Sequence, residues 1–265
     1  MARKFTVSPT KLRTFHQCPT KYKLEYIERL GRFYRKPRAG FSFGASLHNV
    51  LEQFHTQGGP EAVTVEALTE TLASKWQSQG YRDAEQEQAY KAEAVKILAA
   101  YHARAVEVPI EEAPVTLYSE KTLNAPLSPE IVLSGRVDRV DQHPDMSLEI
   151  VDYKSGREVV EPEHVAGALA MSIYQALLKH HHPEQRVFAT IIALRTGSQA
   201  SHEQTPEERE WLLADCLETA ETLRNKDWDG VLPVLNDHCP DCDYLPHCER
   251  YWKRQRRMEG YVDES

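Results

Sequence analysis

The sequence predicts an α/β fold, on three observations. Four short runs, near residues 115–123, 131–141, 147–154 and 187–195, carry the apolar residues and period-two alternation of half-buried strands. A helical pattern at 163–181 separates the last two of them. Further helical patterns fill most of the chain before and after these strands. With 265 residues, the chain can bury a substantial core as one domain, or as one domain with a helical insertion.

The elements follow in order. Ser8 then Pro9 is a helix start, with Ser as N-cap and Pro in the first turn. Phe43 to Glu52 reads as an amphipathic helix carrying one histidine, His48. Residues 64–79 and 83–106 read as two helices, with Ala94, Ile97, Leu98, Tyr101 and Ala105 at helical spacing. They separate His48 from the strands, as a helical insertion over about 60–110 would. Residues 131–141 and 147–154 form an expected β-hairpin, with Pro144 and Asp145 breaking the pairing in the turn at 142–147. The run His180-His181-His182 could suggest a metal. Just before Pro183, it reads rather as a solvated helix C-terminus favoured by the dipole. Thr205-Pro206-Glu207-Glu208 is a capping box opening a long helix to about Asn225. Cys216 sits in the apolar pattern of that helix and reads as a core residue.

Composition narrows the classes. No apolar run reaches transmembrane length and no signal segment is evident, so a soluble, cytoplasmic protein with no membrane partner is expected. No repeat and no G-x-x-x-x-G-K-[ST] loop is present, which excludes a fused ATP-driven motor. A net charge of −8 argues against a protein that coats DNA. The charge is uneven, however. Residues 1–40 hold eleven Lys and Arg, from Arg3 through Lys21, Lys23 and Arg29 to Arg38, against Glu25 and Glu28 alone. Phe15, Tyr22, Tyr26, Phe33 and Tyr34 are interleaved with them, and Lys253, Arg254, Arg256 and Arg257 form a second cluster. Joined, the two would make a basic lip for a nucleic-acid backbone, with rings for base stacking. The plain alternative is two solvated surfaces.

Cysteine is sparse: Cys18 stands alone, and Cys239-x2-Cys242-x5-Cys248 follows far downstream. In a reducing compartment, four such thiols point to a metal rather than to disulfides. Zinc and a [4Fe–4S] cluster both accept four thiolates, and spacing hardly separates them. Either would staple segments 1–40 and 236–258 together in a structural role.

The chemistry concentrates on the hairpin, which carries Asp138 on one strand and Asp152 and Lys154 on the other. Two carboxylates brought together repel unless a divalent cation shares them. A lysine two residues beyond Asp152 lies on the same strand face and can meet a phosphate oxygen. That is the chemistry of metal-dependent phosphodiester cleavage. Taken alone, an Asp-x-Lys tripeptide is more often a solvated surface feature.

In order, spacing and residue type these motifs resemble the RecB-type nucleases of the PD-(D/E)XK superfamily, especially the iron–sulfur branch that includes the CRISPR-associated exonucleases and the AddB nuclease domain. The motifs are the Ser8–Leu30 segment with its Cys18-Pro19, the G-x-x-x-H helix ending in His48, Gly135-x-x-Asp138-Arg139 and Asp152-Tyr153-Lys154. The resemblance implies a single restriction-endonuclease-like domain over 1–265, a mixed sheet flanked by helices. It implies Mg²⁺ or Mn²⁺ held by His48, Asp138, Asp152 and the Tyr153 backbone carbonyl, with Lys154 stabilising charge or orienting the attacking water. Glu120 matches a Glu that several relatives carry near the metals; an outward-facing strand residue is its other reading. Tyr174 aligns with a substrate-side Tyr, but Ala170 stands where the family commonly has Gln, and Gln175 lies roughly 100° away around the helix. The lone Cys18 with C-x2-C-x5-C is the branch's iron–sulfur pattern, which favours the cluster over zinc. The implied activity is a DNA exonuclease acting on single strands or duplex ends, in repair or CRISPR adaptation, with helicase or adaptation proteins as partners. Lys21, Lys23 and Arg29 would hold the strand. Two other readings stand beside it: a catalytically silent DNA-end-binding or adaptor subunit, and a zinc-stapled structural subunit.

Overall fold

The computed structural model describes residues 4–258. In chain order it contains β1 (Phe5–Val7), α1 (Pro9–Gln17), α2 (Pro19–Tyr22), a π-helical turn (Lys23–Ile27), α3 (Gly31–Tyr34) and α4 (Ala39–Thr56). A 3₁₀ turn (Gly59–Glu61), α5 (Val65–Lys75) and α6 (Ala84–Val106) lead to three strands, β2 (Val115–Pro126), β3 (Ile131–Gln142) and β4 (Leu148–Lys154). Then come α7 (Pro162–Ala166), α8 (Leu169–His181), β5 (Val187–Ala193), β6 (Gln199–His202), α9 (Pro206–Asn225) and α10 (Leu245–Met258). The chain divides into two units, one formed by residues 1–9 and 37–217, the other by 10–36 and 218 onward.

The first unit is built on a six-stranded mixed sheet. Its centre is β3, long enough for three neighbours: β2 antiparallel along its length, β1 parallel on Ile131–Leu133, and β4 antiparallel on Arg139–Gln142. β5 pairs parallel with β4, and β6 closes the series antiparallel to β5. A parallel β4–β5 pair demands a crossover, which α7 and α8 supply. The expected helix over 163–181 is therefore two helices. Glu161 and His164 form a reciprocal cap on α7, and Ala168 breaks the run with extended backbone.

Two glycines let the helices reach the sheet. A Cβ on Gly135 of β3 would stand 2.8 Å from the Tyr174 ring and from Leu177 Cδ1, so α8 can lie against β3 only where that strand has no side chain. A Cβ on Gly44 of α4 would stand 2.9 Å from Ser155 Oγ, just past β4. The glycine that opens the G-x-x-x-H pattern thus brings α4 close enough for His48 to reach the hairpin. Gly135→Ala is expected to cost about 1–3 kcal/mol by overpacking, read as a lower urea midpoint at unchanged m-value. An unchanged midpoint would mean that α8 does not press on β3.

The helices at 65–75 and 84–106 do not stand apart from the core. Leu68, Leu72, Ile97, Leu98 and Tyr101 pack with Phe43, Leu47, Leu51 and Phe54 of α4, and with Val151 and Tyr153 of β4. The capping box at α9 forms as expected: Thr205 N donates to Glu208 Oε2 at 2.8 Å and Glu208 N donates to Thr205 Oγ1 at 3.2 Å. Cys216 is fully buried. β1 and β6, three and four residues long, were not among the expected strands. Among the described residues no helix is long and apolar enough to cross a membrane.

The second unit joins the N- and C-terminal segments through ordinary packing. Tyr22 stacks on Trp228 with ring centroids 5.1 Å apart, and Phe15 meets both edge-on. Thr20 Oγ1 donates to Leu232 O at 2.9 Å and Asn236 Nδ2 to Gln17 O at 3.3 Å. The Tyr244 hydroxyl bonds the Glu25 carboxylate. Burial, with Tyr26 adding to it, pushes the Tyr22 phenol up to about 12. Tyr22 is 2% exposed, which corrects its reading as a stacking surface: the ring is core. Phe33, at 66% exposure, remains open, with the Arg32 guanidinium 4.5 Å from its centroid.

Candidate metal centre

β3 delivers Asp138, β4 delivers Asp152 and Lys154, β2 delivers Glu120, and α4 delivers His48. His48 Nε2 donates to the Tyr153 carbonyl at 3.0 Å, which fixes the ring and aims Nδ1 at Asp138 Oδ2, 3.3 Å away. The Tyr153 N–H donates to the same Asp138 oxygen at 3.1 Å. One residue of β4, through its two flanking peptides, therefore sets both groups. Tyr153 O, expected as a metal ligand, here orients His48, as backbone carbonyls commonly do for ligating histidines.

Donor atoms of His48, Glu120 and Asp138 lie within 4.8 Å of one another, the single such group among the described residues. Asp152 falls outside it. Its Oδ2 is buried without a hydrogen bond and lies 2.5 Å from Lys154 Nζ in an ion pair. Ser119 and Lys121 pair with Arg139 and Val137, so Glu120 stands across from Asp138. Its φ of +50° is a left-handed conformation that costs a non-glycine strand residue about 1–3 kcal/mol. Arg136 Nε lies 2.6 Å from Glu120 Oε2.

The carboxylates are shifted in opposite directions. Burial lifts Asp152 above the usual range, and the Asp138 charge adds to it, against the pull of Lys154. Burial also raises Glu120, again with Asp138 adding. Burial works against the charge on Asp138 as well, but the His48 hydrogen bond and charge, the Tyr153 N–H and Lys154 outweigh it and hold that carboxyl low. His48 is raised: burial disfavours its imidazolium, but Asp138 and then Asp152 more than compensate. His48 Nδ1 thus faces Asp138 in the direction in which a cation would sit.

Beneath the site lies a buried polar network that the sequence reading did not single out. Arg139 Nη1 donates to the Tyr101 and Tyr153 hydroxyls at 2.7 and 2.5 Å and contacts His55, while Nη2 pairs with Asp141 at 2.9 Å. Thr116 Oγ1 donates to Asp141 Oδ1 at 2.8 Å.

Elsewhere the expected residues fall as follows. Tyr174 lies against Gly135, and Gln175 is buried, its Oε1 accepting from Gln204 N at 2.9 Å. Lys23 is turned inward, donating to Val231 O at 3.4 Å, with Glu28 3.8 Å away. Lys21 is half-buried, its backbone N–H donating to Cys18 Sγ at 3.3 Å, and Arg29 is exposed with φ +57°. Lys253, Arg254 and Arg256 are exposed on α10, whereas Arg3 and the Arg257 side chain lie outside the described residues. Cys18, Cys239, Cys242 and Cys248 all belong to the second unit and are unbonded thiols. No three of their sulfurs come within 4.8 Å of one another. A tetrahedral zinc ion with bonds of about 2.3 Å would need closer spacing, so the expected staple is not preassembled as a zinc centre.

Among solved structures, the crystal structure of SSO0001 shares 13% identity at a TM-score of 0.41, over 94% of this chain and 87% of that one. A candidate exonuclease from Eubacterium rectale shares 10% identity at a TM-score of 0.47, over 92% and 88%. Likenesses this distant say nothing about activity. No curated protein sequence matches the chain. The family model of the PD-(D/E)XK nuclease superfamily matches residues 6–249, which spans all four elements of the centre and the cysteines, and the chain belongs to that superfamily.

Proposed function

We propose that this protein is a metal-dependent deoxyribonuclease, an exonuclease acting on single strands or duplex ends. The observation that carries the reading is the His48–Glu120–Asp138 group beside the Asp152–Lys154 pair. The donors suit a divalent cation: Nδ1 is aimed by a backbone carbonyl, Asp152 Oδ2 is buried with the Lys154 ammonium as its partner, and two carboxylates are lifted by burial. His48, Glu120, Asp138 and Asp152 would hold it, and one imidazole among carboxylates is compatible with Mn²⁺ as well as Mg²⁺. Such an ion supplies Lewis acidity toward the phosphate and lowers the pKa of water. Lys154, 54% exposed at its side chain, turns an ammonium toward the negative charge that grows on the phosphate. The exposed cations of α10 and Arg29, with the Phe33 ring, offer backbone and base contacts.

For the four thiols the reading is a [4Fe–4S] cluster, as the lone Cys18 with C-x2-C-x5-C implies. Burial first, then the charges of Cys18, Cys242 and Cys239, push the Cys248 thiol up to about 11. A [4Fe–4S] cubane holds its thiolates farther apart than zinc does. Lys21 N and Asn236 N donate to Cys18 and Cys239 Sγ, each at 3.3 Å, the kind of bond that stabilises thiolate.

End-labelled single- and double-stranded DNA, incubated with Mg²⁺, Mn²⁺ or EDTA, tests the activity. Stepwise shortening that EDTA stops is expected, and no shortening with either metal overturns it. Anaerobically purified protein should hold about four irons per chain, lost in Cys18→Ser; stoichiometric zinc without iron would reverse the cluster reading.

A further inference from the structure

On α8, the side chains of Ala170 and Gln175 offer no amide to a substrate. Ala170 has no polar side-chain atom, and the Gln175 carboxamide is buried, with its oxygen accepting from Gln204 N. A donor of another kind stands on β3. Arg136 precedes Asp138 by two residues, so the strand period places both side chains on one face. Its side chain is 65% exposed, and its Nε is 2.6 Å from Glu120 Oε2. Glu120 in turn belongs to the group that faces His48 Nδ1 and Asp138. Its left-handed backbone is a departure from regular strand geometry at a position where β2 otherwise keeps its register with β3.

We propose that Arg136 is a substrate-binding residue for a DNA phosphate, held in reserve by Glu120. The proposal rests on the nuclease reading. Glu120 has two claims on its carboxylate, the guanidinium and the metal centre. When Glu120 turns to a bound cation, Arg136 loses its partner beside the site where a phosphate must lie. A planar guanidinium fork then meets two phosphate oxygens, a geometry that a lysine cannot reproduce. The ion pair thereby couples metal loading to substrate capture.

The test uses the full-length protein carrying Lys154→Ala, so that the strand stays intact, and a labelled single-stranded oligonucleotide followed by anisotropy. With Ca²⁺ present, Arg136→Ala should raise Kd about tenfold and reduce the slope of log K against log salt by about 0.7, one phosphate contact on a single strand. In EDTA, Glu120→Ala should tighten binding, and the gain should vanish in the Glu120→Ala/Arg136→Ala double variant. Affinity unchanged by Arg136→Ala, or a gain from Glu120→Ala that survives loss of Arg136, overturns the proposal. The two readings fail differently. A wild-type chain that neither cleaves nor binds DNA refutes the nuclease reading, whereas wild-type cleavage with KM unchanged in Arg136→Ala refutes the role of Arg136 alone.

Discussion

Lys154→Ala is expected to slow single-turnover cleavage by about 10²–10³-fold at saturating DNA, because under the proposed function the ammonium paired with Asp152 is the donor that meets the charge developing on phosphate. Asp152→Ala should lose at least as much. Asp152→Ala should not unfold the protein, and the sign of the Asp152 shift says why. Its folded pKa lies above its unfolded value, so its contribution to stability is present only below about pH 4 and is lost as pH rises through the folded value. At neutral pH the metal-free wild type therefore carries a strained carboxylate, and Asp152→Asn should be no less stable while being inactive. Urea titrations between pH 4 and 8 should show the wild type losing stability relative to Asp152→Asn as pH climbs. Cleavage at the wild-type rate by either alanine variant would place the chemistry elsewhere.

The largest loss of stability is expected from Asp141→Ala, about 3–5 kcal/mol. Arg139 and Asp141 are 7% and 2% exposed, so the pair is shielded from bulk solvent. The guanidinium would keep its bonds to Tyr101 and Tyr153 but lose its counter-charge, and its Nε is already buried without a hydrogen bond. A double replacement by apolar residues of similar size should cost much less, since it leaves no buried charge behind. Chemical denaturation of the single and double variants distinguishes the two outcomes; equal losses would mean that packing, not charge, sets the cost. Activity should fall as well, because the backbone carbonyl and N–H of Tyr153 hold His48 and Asp138.

Much of this was legible in the sequence because the signals are local. Period two placed Asp138, Asp152 and Lys154 on paired strands, and the turn residues between them close as expected, with His143 N donating to Ser147 O at 3.0 Å. The Thr205–Glu208 capping box spans three residues and formed. What escaped depends on distance along the chain or on backbone detail. Arg139 meets Tyr101, His55 and Asp141, and the first two lie 38 and 84 residues away. Nothing around Tyr101 distinguishes it from an ordinary apolar position on a helix. The left-handed Glu120 has no glycine or asparagine to announce it. β1 is three residues long, too short to show a period, and its parallel pairing with Ile131–Leu133 is set by the tertiary fold. Gly167 caps the end of one helix and Ala168 begins the next, a local stop signal that the continuous helical pattern over 163–181 concealed.

The second unit is assembled from two stretches of chain with residues 37–217 of the first unit between them, and this fixes an order of events during synthesis. Thr20 bonds a carbonyl 212 residues downstream, so at about 5–20 residues per second it emerges from the ribosome roughly 10–40 s before its partner exists. The hairpin with Asp152 and Lys154 is translated well inside that interval. The residues of the candidate metal centre are therefore all made while Cys18 still waits for the other three thiols. Any metal group that needed all four thiols would be loaded only after Cys248 has been made, late in biogenesis.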